Sequence, residues 1–143
     1  MTGLRRDEGS VTAFVAVLIP ALIAAAGLVL DGGLAMATKI RAVGAAEEAA
    51  RAGAGALDQA QLRHGGPPRL DPTHAADAAR AYLAATGQSG TVNATANNVT
   101  VTVTARQSTQ LLSLVGIDTF SLTGTASAAP VSAITTPPQG NAP

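Results

Sequence analysis

Twenty consecutive residues, Val11 to Leu30 (VTAFVAVLIPALIAAAGLVL), carry no charge. At about 1.5 Å per residue, a helix of this length spans roughly 30 Å, the hydrocarbon thickness of a bilayer. A segment in lipid must satisfy its own backbone polar groups, and a single segment does so only as a helix. Pro20 removes one internal hydrogen bond, a defect that membrane helices accommodate. Burying the same run as a core helix would take a large apolar domain around it. The rest of the chain is too small and too polar for that. The run therefore reads as a membrane helix bounded by Val11 and Leu30. Asp31 is the first charge beyond it, placed to mark the lipid–water boundary or to pair with a neighbouring helix.

What remains limits both the core and the chemistry. The 143 residues make one small unit by size. Aromatics are 2% of the chain (Phe14, Tyr82 and Phe120), so a soluble core must be built from Ala, Val, Leu and Ile. Nine basic residues balance nine acidic ones and no basic stripe stands out, so nucleic acid is not an expected partner. The absence of cysteine excludes disulfide scaffolds, thiol catalysis and cysteine-bound zinc. His64 and His74 are not at a metal-ligand spacing. Glu47 and Glu48, being adjacent on a helix, point in different directions and cannot act as an acid–base pair. No glycine cluster follows a strand in the manner of a phosphate-binding loop. No catalytic residue, cofactor, metal or small-molecule substrate is expected.

Four regions follow: a polar tail over 1–10, the membrane helix over 11–30, an α+β domain over 31–129, and a Pro-rich flexible tail over 130–143. Helical periodicity continues from Leu34 to about Leu62, with Gly32 and Gly33 as a soft joint. Within it Val43, Ala46, Ala50 and Ala54 form a stripe of mostly small residues. Such a stripe lets another helix approach closely, either a partner's or the chain's own second helix. Gly65, Gly66, Pro67 and Pro68 break the pattern. Asp71 then suits an N-cap and Pro72 the first helical position, for a second helix running to Thr86 and stopped by Gly87. Ala75, Ala79, Tyr82 and Leu83 would be its inner face.

Period-2 alternation takes over at Thr91. A two-residue turn at Asn97-Asn98 would pair Ala96 with Val99, Ala94 with Val101 and Val92 with Val103, all on one face. A third strand over 120–128 alternates in the same way. Between the last two strands TQLLSLVGI reads as a short apolar helical turn, covering the sheet or lying near the membrane surface. The expected fold is α+β: a transmembrane helix continuing into a long helix, then a second helix and a small three-stranded, mainly antiparallel sheet.

The stretch RDEGSVTAFVAVLIPALIAAAGLVLDGG, followed by KIRAVGAAEEAARAGA, resembles the N-terminal module of TadE/TadG-like proteins of tight-adherence (Flp-type) pilus assembly. The shared features are a charged tail ending at a glycine (Gly9), an apolar helix with an internal proline (Pro20), an Asp-x-Gly exit (Asp31 to Gly33) and an Ala-rich helix. The ending VTVTVTARQSTQLLSLVGIDTFSLTGTASAAP is similar to the family's β-rich C-terminus. The resemblance implies a bacterial structural or assembly component, anchored with its N-terminus in the cytoplasm and its domain outside. It implies other membrane-anchored pilus-assembly or pilin-like proteins as partners. Gly9 is the matching processing site. Family members processed like prepilins carry a glutamate five residues after that glycine, where this chain has Phe14. The likeness is therefore closer to TadG-like members, which keep the helix as an anchor.

Charge alone leaves the topology open, because Arg5 and Arg6 precede the span while Lys39 and Arg41 follow it. An alternative is a soluble secreted protein. Ala35-Met36-Ala37 resembles a signal-peptidase site, and cleavage there would free the chain from Thr38 onward.

Overall fold

A computed structural model describes residues 7–131; the tail over 1–10 and the Pro-rich tail over 130–143 therefore lie largely outside the described residues. Helix α1 runs unbroken from Asp7 to Ala54, through Pro20 and the Gly32-Gly33 pair. Then come the short α2 (Gln59–Arg63), α3 (Pro72–Ala85), strands β1 (Gly90–Ala94) and β2 (Val99–Ser108), a 3-10 turn (Leu112–Val115) and β3 (Thr119–Ala128). The sheet is antiparallel, in the order β1-β2-β3. The chain divides into two compact units, one of residues up to 38 with 106–122, the other of 39–105 with the residues from 123 on.

The second unit holds the core. Ala42, Ala46, Ala49 and Ala50 of α1 cluster with Ala75, Ala79 and Leu83 of α3, Leu70, and Val99, Val101 and Val103 of β2. With so few large side chains, burial depends on close backbone approach. A Cβ on Gly124 of β3 would overlap the backbone of Ala42 and Val43, and one on Gly53 would lie 2.8 Å from the Ala75 carbonyl oxygen. Helices and sheet meet where there is no side chain to separate them. The opposite sheet face is hydroxyl-rich, with Thr100 bonded to Ser127 at 2.8 Å and Thr102 to Thr125 at 3.2 Å.

Helix α3 follows its local signals closely. The Asp71 side chain accepts from the amides of Thr73 (3.0 Å) and His74 (3.1 Å), and Pro72 opens the first turn. Gly87, with φ of 66°, stops it. Of the expected inner face, Ala75, Ala79 and Leu83 are buried and Tyr82 is half-buried.

Two expectations need correction. The first helix does not reach Leu62: it ends at Ala54, and Asp58 caps the separate α2 by accepting from Ala60 (2.9 Å) and Gln61 (3.1 Å). The apolar period continues across a real break because Leu57 leaves the helix to bridge Leu70. The hairpin is also shifted. Val92 pairs with Val101 and Ala94 with Val99, so the turn centres on Ala96-Asn97. A two-residue type I′ turn needs positive φ at both central residues, and no described non-glycine residue has it. Instead Thr95 organises the turn: its amide donates to the Asn98 carbonyl (2.8 Å) and its hydroxyl to the Asn98 side chain (2.8 Å). The shift is two residues, so the same valines still face the core.

Candidate membrane-anchoring site

The stretch of α1 from Val11 to Leu30 is apolar and, apart from Gly27, uncovered. Its most hydrophobic stretch has a mean hydropathy of 2.7 and is 6% buried, so it is not the core helix of this structure. Val11 and Leu30 are both exposed, as are Phe14 at 65% and Val29 at 78%. This is the one described helix long and apolar enough to cross a membrane. Gly9 lies inside α1.

Asp31 breaks the pattern: it is 1% exposed on a helix whose neighbouring residues are bare. Its carboxylate accepts from three backbone amides of the loop after β2, Gln110 at 2.8 Å, Leu111 at 3.0 Å and Leu112 at 2.8 Å. Those amides open the 3-10 turn, for which Leu111 supplies no side-chain cap. Asp31 therefore caps, from about 80 residues away, a turn that lacks its own cap. Desolvation works against the charged form, but the amides of Leu112, Gln110 and Leu111 outweigh it and hold the carboxyl below the usual aspartate range. Nearby, Thr38 donates to the Gln107 side chain at 2.7 Å.

The loop lies against the apolar part of α1. A Cβ on Gly27 would come 2.9 Å from the Leu111 Cβ, so the absence of a side chain there admits the loop. A groove of about 320 Å³ is lined by Pro20, Ile23, Ala24 and Gly27 on the helix and by Leu111, Leu112 and Leu114 on the loop.

The remaining sequence candidates fall elsewhere. Ala46 and Ala50 are fully buried in the chain's own core, while Val43 and Ala54 are half-buried. His74 bonds Asp71 at 2.9 Å, which adds to the amide bonds that hold Asp71 below the ordinary range. Glu47 and Glu48 both pair with Arg51 on an exposed helix face, at 3.5 and 3.2 Å. Among the described residues no group of three or more His, Asp or Glu is placed to hold a metal. Asp31 as an internal cap is the feature that sequence reasoning missed, since only its position at the end of the apolar run marked it.

No curated protein and no solved structure matches the chain significantly. A family model does match about a third of it. Residues 9–56, the apolar helix and the Ala-rich helix that continues it, match the model for putative Flp pilus-assembly TadE/G-like proteins.

Proposed function

We propose that this protein is a single-pass membrane-anchored structural or assembly component of a Flp-type pilus or a related secretion apparatus. Residues 1–10 lie in the cytoplasm, 11–30 cross the membrane, and 31–129 form the external α+β domain. The observation that carries this reading is the exposed, charge-free stretch of α1 from Val11 to Leu30, within the segment that matches the pilus-assembly family. The function is non-enzymatic: the domain positions a surface for other membrane-anchored assembly components.

Retention of the helix is supported by Asp31. Signal-peptidase cleavage after Ala37 would remove the acceptor of three loop amides and leave the 3-10 turn uncapped. The stripe on α1 is a poor partner surface, because Ala46 and Ala50 are enclosed. Protease added outside cells with a permeabilised wall should digest the region beyond Lys39. Protection of that region until the membrane is lysed would reverse the orientation.

A further inference from the structure

Given that Val11 to Leu30 span the membrane, we propose that the loop between β2 and β3 is a second lipid-immersed element. Leu111, Leu112 and Leu114 would sit among the acyl chains beside α1, with Asp31 as the loop's internal cap. The inference rests on the spanning reading and adds a contact that a plain single-pass anchor does not have.

Depth is the first reason. The loop leucines share a groove with Gly27, Ala24, Ile23 and Pro20. At 1.5 Å per residue, Gly27 lies about 5 Å and Pro20 about 15 Å inside the Leu30 end of the span. Side chains alongside those positions are within the hydrocarbon layer if the helix is.

Surface chemistry is the second. Leu114 is 77% exposed and Ile117 42%, in a chain with few large apolar residues outside α1. From Gln107 to Ile117 there is no charge. A leucine this bare is costly in water and favourable in lipid.

Backbone satisfaction is the third. Irregular backbone is tolerated at membrane depth only where its polar groups are satisfied by protein. The three amides entering the turn bond Asp31. Leu114 then donates to the Leu111 carbonyl, Ile117 to Leu112, and Gly116 to Ser113, at 3.1 to 3.2 Å. Thr109 closes the loop, its amide donating to the Asp118 carbonyl at 3.0 Å and its hydroxyl to that of Ile117. The amides of Thr109, Gln110, Leu111, Leu112, Leu114, Gly116 and Ile117 are thus internally bonded, while Leu114 is turned outward and Leu111 and Leu112 are half-buried.

The chain contains no tryptophan, so single introduced tryptophans report without background. Leu114→Trp, Val29→Trp and Gln88→Trp would each be made in the full chain and reconstituted into phosphatidylcholine vesicles with brominated acyl chains. Leu114→Trp should show blue-shifted emission and quenching at least half that of Val29→Trp, with Gln88→Trp unquenched. Quenching of Val29→Trp without Leu114→Trp would overturn the immersed loop while leaving the span intact. No quenching of either would overturn both readings. Equal quenching of all three would overturn the loop's distinct role, because the rest of the domain surface would then behave alike.

Discussion

Asp31 and Leu112 are 81 residues apart in the chain, yet the Asp31 carboxylate accepts the Leu112 backbone N–H at 2.8 Å. With the Gln110 and Leu111 amides, this ties the loop after β2 to the apolar half of α1. The same aspartate that ends the uncharged run in sequence is thus withdrawn from the surface in the fold.

Replacing Asp31 with Ala should therefore free the loop. In the chain held in detergent, the amides of Gln110, Leu111 and Leu112 should exchange with solvent about tenfold faster or more. The pH dependence has a defined sign. A carboxyl depressed in the folded state stabilises above its unfolded pKa, about 3.9, and that contribution is lost as pH falls through the lower folded value. Loop protection should hold at neutral pH and fall only below about pH 4. Protection unchanged in Asp31→Ala would mean that the three bonds do not hold the loop.

The sheet makes a second prediction. Val101 has no exposure and faces the Ala-rich core, whereas Thr104 is exposed on the same strand. Val101→Asp should destabilise by several kcal/mol, because a charge enters an apolar face without a partner. Thr104→Asp should stay within about 0.5 kcal/mol. Melting of the two variants beside the parent is the measurement, and similar losses would mean that the strand's facing is wrong.

A pair of glycines tests the close approach of helix and sheet. Gly124→Ala would force a Cβ into the backbone of Ala42 and Val43, and should cost about 1–3 kcal/mol. Gly44, in the middle of α1, has nothing within 4 Å of its would-be Cβ. Gly44→Ala should be neutral or stabilise by up to about 1 kcal/mol through helix propensity. Opposite shifts in melting temperature are expected from the same chemical change.

Ala50→Leu separates core from partner surface. Ala50 is enclosed, so the larger side chain should overpack the core and lower stability by about 1–3 kcal/mol. An unchanged melting temperature with loss of a co-purifying membrane protein would return the stripe to a partner.

Legibility in the sequence followed the range of the interactions. Helix α3 was readable to within one residue, ending at Ala85 with Thr86 as its cap, because Asp71, Pro72 and Gly87 act on backbone within three positions of themselves. The alternation of β2 and β3 was readable because the pleat has a fixed period. The hairpin register was not: a two-residue slip keeps every valine on the same face, so pattern cannot distinguish the two registers. The end of α1 was missed because Leu57 stays on the apolar period after leaving the helix. For the site, the apolar run identified the candidate anchor, but the partners of Asp31 had no local signal. Three backbone amides some 80 residues away leave no trace in spacing or composition.

Alkaline extraction of the membrane fraction, followed by an intact mass of what it retains, tests anchoring most directly. The protein should remain in the pellet with a mass that includes residues 11–37. A soluble product beginning at Thr38 would contradict anchoring and leave a secreted protein in its place.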